Sequence, residues 1–363
     1  MKAIIKKKRA PGLWLEDLPV PSVKEGEVLI KIRKTSICGT DLHIYNWDDW
    51  AQQTVPVPLV IGHEFMGEIV ELGQGVRDLN IGDRVTGEGH LTCGKCPFCL
   101  TGRRHLCLHT RGIGYHCPGA FAEYFSFPAE NVFVLPPDIS DDLAAIMDPF
   151  GNSVHTALAF DLVGQDVLIS GAGPTGLMAA AIARHSGAHQ VVITDLNPYR
   201  LELAIQLGAT RAIDLRKESV QTVMQQLGLP HGFTVGLEMS GNPSALTTQI
   251  ESLQPGGKLA LLGLFSEKAE IDWNRLIFKM LTIKGIYGRR IFSTWFTMKA
   301  LLESGLNLAS VITHSYPAEE FEKGFAAMMS GQTGKVILDW QALSIKNHHE
   351  AARHHGKSRE NRR

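Results

Sequence analysis

Apolar positions along this chain keep two different rhythms. From residue 27 to about 133, short apolar or alternating runs at 27–32, 66–72 and 121–127 are cut by Gly and Pro, the pattern of strands joined by turns. That stretch reads as mainly β. After Asp148, apolar strands at 166–170, 190–194, 233–240 and 258–264 alternate with segments of helical period, among them 176–186 and 199–207. The alternation implies a parallel sheet wrapped by helices. Asn197, Pro198 and Gly208 bracket the second helix as capping residue, first-turn proline and terminal glycine. Helices at 294–303 and 318–329 and a strand at 335–340 follow, so the last segment is expected to return to the first domain.

Composition narrows the class. At 363 residues the chain is about two domains long, and 44% hydrophobic with 20% charged residues is ordinary for a globular protein. A net charge of -1 gives no electrostatic reason for a nucleic-acid or membrane partner. Lysines at 2, 6, 7 and 8 have no signal-like apolar run behind them, and nowhere do ~18 uncharged apolar residues follow one another, so a cytoplasmic location is expected. From 342 to 363 the composition turns His- and Arg-rich, which reads as a disordered tail. All six cysteines fall between Cys38 and Cys117, a distribution that suits metal sites in a reducing compartment better than disulfides.

Immediately after the strand at 166–170 come Gly171, Gly173 and Gly176 in G-x-G-x-x-G register, and then an alanine-rich helix. The first glycine permits the turn, the second lets backbone approach a pyrophosphate, and the third allows close helix packing. Asp195 ends the next strand, where an acidic side chain accepts ribose hydroxyls and repels a 2′-phosphate. The expected cofactor is NAD rather than NADP, although Arg200 stands near enough in sequence to meet a phosphate.

Cys93, Cys96, Cys99 and Cys107 follow C-x2-C-x2-C-x7-C spacing in a Gly-, Pro- and Lys/Arg-rich loop. Four thiolates closing a tetrahedron around Zn²⁺ leave no position for substrate, so this site is expected to be structural; the last gap is too long for the common ferredoxin run. A second set is sparser: Cys38, then His63 and Glu64, then Asp148. Each has an ordinary explanation alone, as a buried thiol or a satisfied polar group.

Long dispersed stretches alter that balance: KIRKTSICGTDLHIYNW at 31–47, GHEFMGE at 62–68, DDLAAIMDPFGNSVHTAL at 141–158, the glycine turn at 170–176, GLEMSG at 236–241 and IKGIYG at 283–288. Carrying these, the chain resembles the zinc-containing medium-chain dehydrogenase/reductase superfamily from Met1 to about Trp340. The resemblance implies an α/β fold: a GroES-like, mainly-β catalytic domain at 1–147 with a return segment at 293–341, and a Rossmann doubly wound parallel sheet at 148–292. It also implies a homotetramer, with the outer strand at 282–287 pairing across a two-fold axis.

What the resemblance implies for the site is specific. Cys38, His63 and Glu64 would hold a catalytic zinc, and Asp148 would assist beside the metal without necessarily touching it. Thr40 and His43 would relay the proton. Gly171, Gly173, Thr175, Gly176, Asp195, Arg200, Leu262, Gly263, Leu264, Ile286 and Tyr287 would contact NAD. The expected reaction is oxidation of a small secondary alcohol, L-threonine before a polyol or 2,3-butanediol. Glu88, His90, Arg289 and Arg290 are loop candidates for the polar ends of such a substrate. His116 and Cys117 receive no role.

Overall fold

In the computed structural model, which describes residues 1–343 apart from Ser266 and Ala342, the early strands gather around Glu27–Ile37. This eleven-residue strand is long enough to serve three partners. Phe65–Leu72 pairs along one side, while Tyr124–Pro128 and Lys335–Asp339 share the other, all antiparallel. Arg84–Gly87, Val132–Val134 and Ile312–Pro317 complete the sheet among the described residues. Its inner face is aromatic: Phe65, Phe125 and Phe127 meet at centroid distances of 5.2 to 5.5 Å.

The second sheet is parallel. Among the described residues its order is Arg211–Asp214, Gln190–Asp195, Asp166–Ser170, Phe233–Glu238, Leu253–Leu261, Thr282–Gly285. Sequence order thus reverses beside the first strand, Asp166–Ser170, and that crevice is where such sheets take a dinucleotide. The strand expected at 258–264 stops at Leu261 because Leu262 and Gly263 turn to donate their amides to the Glu238 carbonyl, at 2.9 and 3.2 Å. The helix expected at 318–329 opens with a 3-10 turn, Ala318–Glu320, before Phe321–Met329.

One core cluster joins the two sheets. It runs from Val167, Ile169 and Leu237 through Phe150, Val154, Trp295 and Met298 to Met66 and Ile337. The helices Met147–Ala157 and Ser293–Glu303 are therefore the shared wall. The tail expected from 342 lies outside the described residues, except that Leu343 is still buried in the core of the first sheet. Trp340, also buried there, donates its indole N–H to Thr35 Oγ1 at 2.9 Å. Trp340→Ala should lower unfolding stability by about 3–5 kcal/mol, through lost packing and a stranded hydroxyl, read as a lower denaturant midpoint.

Candidate active site

Cys38 follows the strand Glu27–Ile37 directly and stands at the N-cap of the helix Gly39–Asn46. Asp41, at the third helical position, accepts the Cys38 amide at 2.9 Å and fixes the turn around the thiol. His63 and Glu64 lead into Phe65–Leu72, whose register against the first strand ends at Thr35↔Phe65. Strand pairing thus sets one ligand atom each from Cys38, His63 and Glu64 within 4.8 Å of one another. Asp148, in the first turn of Met147–Ala157, is outside that set but near enough to help hold positive charge on His63.

Three atoms in this pocket are buried without a hydrogen-bond partner: Asp41 Oδ1, His63 Nδ1 and Glu64 Oε1. Leaving such atoms unmet costs about 1–3 kcal/mol each. Burial opposes a charged His63, yet the negative Cys38 and Asp41 outweigh it and raise the imidazole to about 10. A sulfur, nitrogen and oxygen donor set that attracts positive charge this strongly fits Zn²⁺. The other oxygen of Glu64 is occupied, accepting from the Ser36 hydroxyl and from the buried Lys335 ammonium. Lys335 also donates to the Ile37 carbonyl at 2.8 Å.

Thr40 Oγ1 lies 3.9 Å from Cys38 Sγ. His43, one turn further along the same helix, is exposed, and its Nδ1 meets Asp48 Oδ2 at 2.5 Å. Thr40 and His43 stand three residues apart on one helix and so share a face that leads from the half-buried Thr40 beside the thiol to the exposed imidazole.

The four loop cysteines converge as well, with one Sγ each inside 4.8 Å of the others and closest pairs Cys96–Cys99 and Cys93–Cys107 at 3.5 Å. These separations far exceed a disulfide bond of about 2.05 Å. The amides of Cys93 and His109 point at Cys107 Sγ, and those of Cys99 and Leu108 hold the Cys96 thiol down to about 6, while burial pushes the Cys99 thiol up to about 11. Cys117 stands apart, half-buried, its Sγ 3.6 Å from the Gly112 carbonyl. His116 accepts the Gly112 amide at 3.0 Å, a loop-holding contact.

At the crevice of the parallel sheet, Gly171 takes φ +95° between strand and helix, and a Cβ on Gly176 would land 1.9 Å from the Gly171 carbonyl oxygen. Gly173, by contrast, has open space around it, leaving the N-terminus of Pro174–His185 accessible to an anion. Thr175 lies in that helix's first turn and its carbonyl accepts Ser153 Oγ at 3.0 Å. Asp195 is pinned by the amides of Ala172, Leu196 and Asn197 at 2.6 to 2.8 Å. Arg200 directs Nε to the Thr333 carbonyl at 3.2 Å. Leu262, Gly263 and Leu264 follow one strand's carboxyl end, and Ile286 and Tyr287 the next. All the expected cofactor residues thus gather on one edge of the sheet.

Between the sheets, Arg289 is fully buried. It gives Nη2 and Nε to Glu88 at 2.6 and 2.9 Å, and Nη1 to Asp148 Oδ2 at 2.6 Å and Asn152 at 3.1 Å. Trp295 Nε1 adds a bond to Glu88 at 3.0 Å. Burial works against the Glu88 charge, but Arg289 and His90 outweigh it and hold the carboxyl well below its ordinary range. Glu88 and Arg289 are therefore spent on each other rather than free for a substrate's polar ends. His90 is half-buried beside Tyr287, ring centroids 5.5 Å apart, and Arg290 is exposed.

Residues 24–137 match the alcohol dehydrogenase GroES-like domain family and residues 174–304 the zinc-binding dehydrogenase family. The chain is 63% identical to an L-threonine 3-dehydrogenase of Protochlamydia amoebophila over 341 residues, 94% of this chain and 100% of that one. Likeness to the L-threonine 3-dehydrogenase of Proteus mirabilis is 60% over the same shares. This chain belongs to the L-threonine 3-dehydrogenase family. That places it among the zinc-containing medium-chain dehydrogenases. Among solved structures it resembles an Escherichia coli alcohol dehydrogenase complexed with NADH (TM-score 0.86, 27% identity, covering 94% of this chain and 99% of that one). It also resembles the 2R,3R-butanediol dehydrogenase of Bacillus subtilis (TM-score 0.83, 26% identity, 93% and 99%).

In this dehydrogenase several site residues carry no sequence signal. Ser36 and Asp41 fall inside the stretch at 31–47 but carry no signal of their own there, Asp48 and Lys335 stand outside any motif, and only the fold reveals their partners. A lysine opening a β-strand reads as exposed, yet Lys335 is buried. Arg289→Met should cost about 3–5 kcal/mol at neutral pH by leaving Glu88 buried and unpaired. Because the folded Glu88 pKa is depressed, its stabilisation is present above the unfolded value of about 4.3 and fades as pH falls below it. The gap between variant and native protein in urea titrations should therefore persist from pH 7 down to about pH 4.3 and narrow only below it.

Proposed function

We propose that the chain oxidises the 3-hydroxyl of L-threonine to L-2-amino-3-ketobutyrate, passing hydride to NAD⁺, as a step in threonine breakdown. The observation that carries this reading is 59–63% identity to L-threonine 3-dehydrogenases along their whole length. A butanediol or polyol substrate has behind it only structural likeness at 26–29% identity.

Cys38, His63 and Glu64 would hold a zinc ion, which would supply a Lewis acid able to make an alcohol hydroxyl acidic near neutral pH. Thr40 accepts the substrate's proton while handing its own to His43, which exchanges it with water. Asp148, clamped by Arg289, keeps negative charge beside the metal without filling a position. Gly171, Gly173 and Gly176 would open the helix N-terminus, where Thr175 also stands, to the pyrophosphate, and Leu262, Gly263, Leu264, Ile286 and Tyr287 would contact NAD from the neighbouring strand ends. Asp195 retains lone pairs for the ribose hydroxyls and repels a 2′-phosphate, while Arg200 is partly engaged by Thr333. Cys93, Cys96, Cys99 and Cys107 would hold a second zinc that staples their loop.

We assign residues 1–147 and 293–341 to the catalytic domain and 148–292 to the coenzyme domain. We place the enzyme in the cytoplasm, with a small-molecule substrate as its partner; no helix among the described residues is long and apolar enough to cross a membrane. A homotetramer is supported by the edge strand Thr282–Gly285, beside which Trp273, Ile277, Phe278 and Met280 are exposed, Phe278 by 83%.

Purified, zinc-loaded protein should reduce NAD⁺ with L-threonine, and far more slowly with NADP⁺ or with 2,3-butanediol. Failure to turn over threonine in that alcohol panel would remove the substrate assignment. Cys38→Ser should abolish turnover with the melting temperature retained, whereas Cys93→Ser should lower the melting temperature, since one site is open and the other closed. Indistinguishable melting curves for the two variants would contradict that division.

A further inference from the structure

The helix Gly39–Asn46 ends at Trp47, which adopts the left-handed conformation (φ 56°) that residues with a Cβ rarely take. Its ring is buried and lies under the Lys6 ammonium, 4.7 Å from the centroid. Lys6 in turn donates to the carbonyls of Ala10, Gly12 and Ile44. This reversal folds Asp48 back over the helix it has just left, so that Asp48 Oδ2 reaches His43 Nδ1 at 2.5 Å. The other oxygen, Oδ1, accepts the Ala51 amide at 3.0 Å and caps the next helix, Asp49–Thr54. Each oxygen therefore has one task, and the cap prevents the carboxylate from swinging away from the imidazole. The Trp50 indole stands edge-on to the same ring at 5.9 Å.

We propose that Asp48 is the positioning residue of the proton relay, holding His43 in the tautomer that carries hydrogen on Nδ1 so that Nε2 remains the basic nitrogen. The inference rests on the relay reading of Thr40 and His43 given above. Asp48 touches neither substrate nor cofactor; it acts through the imidazole. In each turnover Nε2 takes one proton from the Thr40 hydroxyl, which is refilled by the substrate's own proton, and the imidazolium returns one proton to water from the same nitrogen. No electrons move in this step. Asp48 carries the charge that steadies the imidazolium while it lasts: burial works against ionisation, but the Ala51 amide and His43 outweigh it and keep the carboxyl below its ordinary range. An imidazole without such a partner divides between two tautomers, and general acid–base catalysis is lost from the fraction with hydrogen on the wrong nitrogen.

Asp48→Asn separates the two tasks, because asparagine caps a helix as well as aspartate does but presents no carboxylate to the imidazole. In the zinc-loaded enzyme with L-threonine and NAD⁺, kcat should fall about tenfold. KM for both substrates and the melting temperature should stay close to native values. The solvent deuterium isotope effect on kcat should rise, because proton transfer becomes more rate-limiting, and Asp48→Glu should recover part of kcat by restoring the charge. His43→Ala is measured alongside. A crippled His43→Ala with a fully active Asp48→Asn would overturn the role of Asp48 and leave the relay standing. Native turnover in His43→Ala would overturn both. A kcat loss in Asp48→Asn that merely follows a lower melting temperature, with an unaltered isotope effect, would reduce Asp48 to a helix cap and sink the proposal.

Discussion

A guanidinium sealed from water sits at the centre of this molecule, and a buried cation is tolerated only where charged partners surround it. Glu88 comes from the end of a strand in the antiparallel sheet, Asp148 and Asn152 from the shared helix Met147–Ala157, and Arg289 from the loop beyond the last parallel strand. None of the three segments can shift without uncovering a charge. The spacing between the metal pocket on one side and the dinucleotide crevice on the other is thereby fixed, and a hydride transfer needs reacting atoms held within about 3–3.5 Å.

Around that pin the two sheets follow different logics. In the antiparallel sheet a single long strand, Glu27–Ile37, recruits partners from three distant parts of the chain and delivers Cys38 at its end. In the parallel sheet each strand returns through a helix, so every functional turn emerges on the same edge. The first arrangement concentrates donors for a cation. The second offers backbone amides to an anion. Both stand against one shared core cluster that includes Phe150 and Trp295.

The chain disclosed a good deal of this in advance, and the reason lies in distance along the sequence. Cys93 to Cys107 form one loop, and Gly171 to Gly176 one turn, so their chemistry is written in consecutive residues. The parallel strands were equally legible, since Asp166–Ser170 and its neighbours are buried on both faces and read as uninterrupted apolar runs. Cys38, His63 and Glu64 became a set only through resemblance, because the register of two strands brings them together. Arg289 and Glu88, 201 residues apart, were taken for loop residues facing substrate, and nothing local marks them as a pair. Asp48 was invisible for another reason: an aspartate before a short helix is fully explained as a cap, which hides its second oxygen.

The Lys335 ammonium reaches Glu64 from 271 residues further along the chain. Until that late strand has been made, Glu64 lacks its buried lysine and the sheet has no edge on that side to seal it. A nascent polypeptide still on the ribosome can therefore close its cysteine loop early, but it completes the catalytic pocket only near the end of synthesis. Translation order itself sets when the centre can first exist in finished form.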